Sequence, residues 1–262
     1  MVKRRVVKKK ATRSRRLPPP PPVEPPPPPR YPSLIDLSGP EVPPDTWAGE
    51  YPPPEFTTDW VEGRGHAWTH WLASLTNQPV SALELGTFEG RSALWFLRNV
   101  LTHPASLLTC VDAWSYDYTG GFGQEQLSAD SGTTLEDARQ RCLRNLRPYM
   151  RRGRCAVVTM NTQEFLRTRR PEQMFKLIYV DASHYASCVL EDTIAAWWHL
   201  AQGGIMIWDD YEWVLDHRQD KHELGRPKLA IDAFLSVFEE QYEVLGMGYQ
   251  VCIRRTTKNP FE

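Results

Sequence analysis

Val80-Ser-Ala-Leu-Glu-Leu-Gly-Thr-Phe-Glu-Gly90 runs directly into Arg91-Ser-Ala-Leu-Trp-Phe-Leu-Arg-Asn-Val-Leu101. The first stretch is a short apolar run closed by Glu84-Leu85-Gly86, with a second glycine at Gly90. In the second stretch the apolar residues recur at helical spacing. A buried strand, a tight glycine turn and a helix opening at its N-terminus form half of a nucleotide-binding crevice. Glycine suits such a turn because it tolerates positive φ and lets a ligand approach the backbone closely. The spacing is Gly-x-x-x-Gly, not the Gly-x-Gly-x-x-Gly of dinucleotide sites, which disfavours a dehydrogenase. Two glycines in a strand–helix turn are common, so the meaning of this turn depends on what the chain places beside it.

Working outward, the strand–helix alternation continues. Strands are expected at 82–85, 107–111, 155–160, 177–180 and 204–208, with helices at 91–101, 135–146, 162–167 and 187–200. Strands alternating with helices pair in parallel through right-handed crossovers. The C-terminal part changes character: a helix at 228–239 is followed by strands at 242–246 and 249–254, a hairpin that requires at least one antiparallel strand. Upstream, 60–75 reads as an amphipathic helix with Trp60, Trp68, Trp71, Leu72 and Leu75 on one side. The expected fold class is α/β, a Rossmann-like doubly wound sheet, mostly parallel with an antiparallel C-terminal hairpin strand.

Charge divides the chain unevenly. Residues 1–16 hold nine Lys/Arg and no acid, leaving 22 of the 31 basic residues against all 32 acidic ones, a net −10 for the remainder. Such an arm suits a nucleic acid or other polyanion, or a nuclear-import signal, and also reads as a solubilising tail. Pro18–Pro22 and Pro25–Pro29 favour polyproline II, a stiff spacer or a ligand for an aromatic groove. The chain therefore divides into a disordered basic and polyproline arm (1–30), a proline-rich extended linker (31–55) and a folded domain (56–262). Five scattered cysteines (110, 142, 155, 188, 252) without a Cys-x-x-Cys read as reduced residues rather than a disulfide framework or zinc site. No run is long and apolar enough to span a membrane, and the N-terminus lacks a signal peptide's apolar region. An intracellular, soluble protein of cytoplasm or nucleus is expected.

In an open α/β sheet, ligands gather outside the carboxyl ends of the strands. There this chain places Glu84 and Gly86, then Asp112, then Asp181, then Asp209 and Asp210. An acid ending the second strand can accept hydrogen bonds from ribose hydroxyls. Any one such acid can equally cap a helix or loop; four strand ends carrying one make a site. Asp181, Asp209 and Asp210 converging on one crevice would repel, and a hard divalent cation such as Mg²⁺ is the usual remedy. His184, three residues after Asp181, is a candidate general base for a hydroxyl. The polar segment 212–226 is placed to close over the site.

Glu84-Leu-Gly-Thr-Phe-Glu-Gly-Arg-Ser92, Val111-Asp112, Val180-Asp-Ala-Ser-His-Tyr185 and Gly203-Gly-Ile-Met-Ile-Trp-Asp-Asp-Tyr211 resemble successive motifs of class I S-adenosylmethionine-dependent methyltransferases. The likeness is to the small-molecule O-methyltransferase branch, macrocin and catechol types included, and covers about 60–255. It implies a seven-stranded sheet. It also implies cofactor contacts at Glu84, Gly86, Thr87, Phe88, Gly90 and Ser92, at Asp112 for the ribose with Ala113 and Trp114, and at Asp181. Mg²⁺ would sit at Asp181, Asp209 and Asp210, with Asp181 and His184 catalytic. The chain departs from the catechol type in having Asp-Asp where that type has Asp-Asn, and in lacking an evident lysine base. The aromatic segments 114–118 and 211–213 would wall the acceptor pocket or stack on adenine. No Asn/Asp-Pro-Pro-aromatic motif follows the fourth strand, and no Lys-Asp-Lys-Glu pattern is evident, which favours a small-molecule hydroxyl as acceptor. The rival expectation is a binding or structural protein on this fold, or a nucleic-acid methyltransferase, tethered to nucleic acid by residues 1–16.

Overall fold

The computed structural model describes residues 51–115, 132–170, 172–213 and 225–261, all within the unit Gly39–Glu262. The expected arm and most of the linker, the segment 214–224 of the expected lid, and 116–118 of the aromatic segment lie outside the described residues.

The elements are α1 (Gly65–Trp71), β1 (Ser81–Leu85), α2 (Arg91–Asn99), β2 (Leu107–Asp112), α3 (Leu135–Arg151), β3 (Cys155–Thr159), α4 (Thr162–Thr168), β4 (Phe175–Val180), α5 (Ala186–Trp197), β5 (Leu200–Trp208), α6 (Pro227–Val237), β6 (Tyr242–Met247) and β7 (Val251–Arg255). One seven-stranded sheet has the order β3-β2-β1-β4-β5-β7-β6. β1 to β5 run parallel, and β7 is antiparallel to both β5 and β6. The order reverses between β1 and β4, which puts the glycine turn at the topological switch point where such sheets bind ligands.

Side chains alternate across the sheet with period two. Leu83, Leu85, Ile178, Val180, Met206 and Trp208 face the core beneath α5 and α6, where they meet Trp197 and Phe234. Ala82, Leu177, Tyr179, Ile205 and Ile207 face the other core, with Trp68, Phe96 and Leu146 from α1, α2 and α3. Trp68 anchors that layer, its ring 4.7 Å from Phe96 and 5.4 Å from Tyr179. Glu84 lies between Leu83 and Leu85, so the same alternation points its carboxylate under α2.

Three elements differ from the sequence reading, and one of them, β5, begins at Leu200, where the expected helix still ran, instead of at 204. The helix expected over 60–75 is confined to α1, followed by a 3₁₀ turn at Ala73–Leu75. Gly63 takes φ +79, a turn conformation that a helix cannot pass through. Trp60 therefore stands apart, 45% exposed, with its ring 5.2 Å from Phe88. α3 runs five residues past the expected end despite Pro148, and Tyr149 is buried at its far end. Packing of that ring outweighs the hydrogen bond that proline forfeits. No described helix is long and apolar enough to cross a membrane. All five cysteines are free, with Cys110, Cys142, Cys155 and Cys252 buried.

Candidate functional site

The last rungs of the parallel ladder bring three loop starts side by side. The Gly86 amide donates to the Val111 carbonyl at 2.8 Å, the Asp181 amide to Leu85 at 2.8 Å and the Asp209 amide to Val180 at 3.1 Å. Gly86 has φ +84, and a Cβ there would lie 2.0 Å from the Asp181 carbonyl oxygen. Glycine is thus demanded by the neighbouring loop as well as by the turn. Four described non-glycine residues have positive φ, and three of them, Phe88 (47°), Trp114 (42°) and Asp210 (57°), sit in the loops after β1, β2 and β5. Strained backbone gathered at one end of a sheet marks a site whose surroundings over-determine it.

The glycine turn is held from below and from the side by carboxylates. Glu84, fully buried, accepts from Thr87 Oγ1 at 3.0 Å and Ser92 Oγ at 2.6 Å. Burial pushes its carboxyl up to about 7, against the lowering effect of those hydroxyls. Asp112 accepts at Oδ2 from the amides of Thr87 and Phe88, each at 2.9 Å, and at Oδ1 from the Trp114 amide at 2.7 Å. Trp114 Nε1 closes the ring by donating to the Phe88 carbonyl at 2.9 Å. A carboxylate offers about four acceptor positions, so these three bonds orient Asp112 and leave capacity for one hydroxyl. That donor and acceptor chemistry fits the ribose role expected of Asp112. Ala113 is half-buried in the same loop, and Gly90, in the left-handed region, precedes α2.

Across the switch point lie the other acids. His184 Nε2 is 2.8 Å from Asp210 Oδ2, and Tyr249 donates to Asp210 Oδ1 at 2.6 Å. Ligand atoms of Asp181, His184 and Asp210 fall within 4.8 Å of one another. Asp209 is engaged by other partners, accepting from the Tyr179 hydroxyl, from Arg64 Nε at 3.4 Å and from the Asp210 amide at 2.7 Å. The four side chains expected to cooperate do lie together, but the candidate cation cage contains His184 where Asp209 was expected. Burial drives Asp181 well above the ordinary carboxylate range, with Asp209 and Asp210 adding to the rise and Arg64 opposing it. Burial would raise Asp210 as well, but His184 and Tyr249 outweigh it and hold Asp210 low. Two carboxylates and an imidazole, one carboxylate without a hydrogen bond among the described residues, fit the donor set of a divalent cation.

Sequence reasoning missed three contributors. Arg64, just before α1, neutralises Asp209 and lies 4.7 Å above the Tyr249 ring; nothing local in the sequence marks it. Tyr249, at the β6–β7 turn, is brought in because that turn's carbonyl accepts from the Tyr211 amide at 2.9 Å. Glu89 stands inside the glycine motif, and its buried carboxylate accepts from the Thr57 amide at 2.7 Å and hydroxyl at 2.9 Å, and from Arg141 at 3.0 Å. Asn145 completes this clamp by bonding both the amide and carbonyl of Glu55. The segment 55–60 is thereby strapped beside the turn. A buried acid in a motif was the available signal for Glu89.

The sheet order and its switch point give a Rossmann-like fold of the kind methyltransferases use. Residues 83–211 match the family model described as a methyltransferase domain. Solved structures share the fold at low identity. A Corynebacterium glutamicum protein is 15% identical with a TM-score of 0.52, over 80% of this chain and 86% of that one. The O-methyltransferase TomG from Streptomyces achromogenes, involved in tomaymycin synthesis and solved with S-adenosylmethionine, is 16% identical with a TM-score of 0.52, over 74% and 80%. A putative rRNA methylase from Clostridium thermocellum is 11% identical with a TM-score of 0.51, over 76% and 98%. No curated protein sequence is significantly similar to the chain.

Proposed function

We propose that this protein transfers a methyl group from S-adenosylmethionine to a hydroxyl of a small molecule, with a divalent cation held by Asp181, His184 and Asp210. The observation that carries this reading is the juxtaposition of two half-sites across one switch point. The glycine turn with Glu84 and Asp112 forms the first, and the Asp181–His184–Asp210 cluster the second. Thr87, Phe88, Gly90, Ser92, Ala113 and Trp114 complete the cofactor side.

The cofactor supplies an electrophilic methyl on a sulfonium, and displacement in line needs alignment more than covalent help from the protein. With that cofactor held at Glu84, Gly86 and Asp112, the S–CH₃ bond would break with its electron pair left on sulfur as the O–CH₃ bond formed. The chain's task is to hold the hydroxyl and take its proton. Asp181 and His184 are the two groups of the cluster placed to take it. Asp210 orients the imidazole of His184, and Arg64 keeps Asp209 paired. A cation in the cluster would supply charge favouring the alkoxide. Trp213, its ring 4.5 Å from His184, offers an aromatic wall to the acceptor.

Calorimetry with S-adenosylmethionine and turnover on a panel of phenols, catechols and sugars test this reading. Binding is expected, with Asp112→Ala weakening it at least tenfold as the ribose acceptor and the brace on Thr87 and Phe88 disappear. Turnover lost in EDTA and restored by Mg²⁺, and abolished in Asp181→Asn, supports the cation. Turnover that survives EDTA but fails in His184→Ala assigns the proton to the imidazole instead. A chain that binds no S-adenosylmethionine refutes the proposal.

A further inference from the structure

Methyl transfer makes no use of the outer face of α3. From Ala138 to Arg154 the chain has seven arginines (139, 141, 144, 147, 151, 152, 154) and no acid, although beyond residue 16 acids outnumber bases by ten. Four of these arginines are engaged within the fold. Arg139 pairs with Glu136 at 2.8 Å and Arg141 with Glu89 at 3.0 Å. Arg152 donates to the Pro148 carbonyl at 3.3 Å, and Arg154 Nε to the Ser106 carbonyl at 3.0 Å. Arg144, Arg147 and Arg151 are exposed and make no ion pair or hydrogen bond among the described residues.

Spaced i, i+3 and i+7, those three share one helix face, with neighbours about 5–6 Å apart and the row about 10 Å long. They border a shallow surface hollow of about 440 Å³, whose lining among the described residues is completed by Gln140, Leu143 and Met150 and includes no acid. Like charges at this spacing destabilise the helix that carries them. The row therefore works against α3 unless an anion lies across it.

We propose that this face of α3 binds a nucleic-acid strand through successive phosphates. Guanidinium groups present paired N–H donors that match phosphate oxygens. The apolar surface of Leu143 and Met150 between them suits the faces of bases, which an acidic peptide does not have. The nine basic residues of 1–16 supply a further anion-binding segment in the same chain. This inference is independent of the methyl-transfer reading.

The test is fluorescence anisotropy of the full chain with labelled RNA and DNA strands of about 20 nucleotides, across a salt series. Wild type is compared with R144Q/R147Q/R151Q, and the basic arm is present in both. Three lost phosphate contacts are expected to lower the slope of log K against log salt by about 2 and to weaken binding at least about tenfold. S-adenosylmethionine binding should be unchanged and thermal unfolding unchanged or slightly higher, since the three side chains are exposed and their loss relieves repulsion along α3. Loss on RNA alone or DNA alone supports the proposal and identifies the sugar. Absence of nucleic-acid binding by wild type overturns it, as does unchanged affinity and slope in the variant. A variant that loses only poly-glutamate binding also overturns it and assigns the face to an acidic peptide.

Discussion

Glu84 shows how much one buried group can govern. Its carboxyl is held near 7 by burial, close to Asp112 and the thiol of Cys110. Its folded-state value lies above the unfolded one, so the native protein binds the extra proton between about pH 4.5 and 7. Stability therefore falls as pH rises through that window, and the loss is complete above it. A shift of this size corresponds to about 3 kcal/mol. Glu84→Gln, which cannot ionise, should be stabilised relative to wild type at pH 8 by up to that amount and by almost nothing at pH 4. Urea unfolding at the two pH values reads the difference. Gly86→Ala acts by sterics, placing a Cβ 2.0 Å from the Asp181 carbonyl at φ +84. A cost above about 3 kcal/mol is expected, read as a fall in the urea midpoint, with S-adenosylmethionine binding lost as well.

Among the elements, the turn between β1 and α2 organises its neighbours through backbone amides. Asp112, from β2, accepts two of them, from Thr87 and Phe88, and a third amide from Trp114 in its own loop, while Glu89 reaches outward to Thr57 and Arg141. The strap 55–60 depends on that reach. Glu89→Ala should leave the Thr57 amide and hydroxyl without their acceptor and Arg141 with Thr133 alone, at about 2–3 kcal/mol, and expose 51–60 to limited proteolysis several-fold faster than in wild type. Cleavage mapped by mass spectrometry checks the location. If cleavage in the variant appears elsewhere and 51–60 stays protected, the strap is held by Asn145 and the Trp60–Phe88 contact instead. The switch of α1 from a long expected helix to a single two-turn piece has its origin in the same region, where Gly63 breaks the run and frees Trp60 to lie against Phe88.

Across the whole molecule, a net charge of −1 and a sequence pI of about 6.7 conceal opposite halves. Nine basic residues precede a remainder of net −10, and within that remainder the stretch 138–163 is free of acid. Retention of the full chain on immobilised heparin is expected despite the acidic pI, falling with salt. Deleting residues 1–16 should lower the eluting salt concentration without abolishing retention, because the α3 row remains. A deleted chain that passes straight through would show the arm alone to be responsible.

Much of the fold was legible because period-two burial and helical spacing are local properties. Leu83, Leu85, Ile178 and Val180 alternate with Ala82, Leu177 and Tyr179, so strands and their order of appearance follow from residue types alone. The glycine turn and the acids at strand ends were legible for the same reason: a parallel sheet with helical crossovers puts every strand's carboxyl end on one side. Pairing within the site was not. Arg64 meets Asp209 across 145 residues and Tyr249 meets Asp210 across 39, and no local pattern encodes contacts made by returning chain. So the sequence by itself determined which acids reach the crevice. Only the tertiary structure decided that Arg64 and Tyr179 engage Asp209, leaving Asp181, Asp210 and His184 together, because burial makes each charge take whichever partner the fold brings closest.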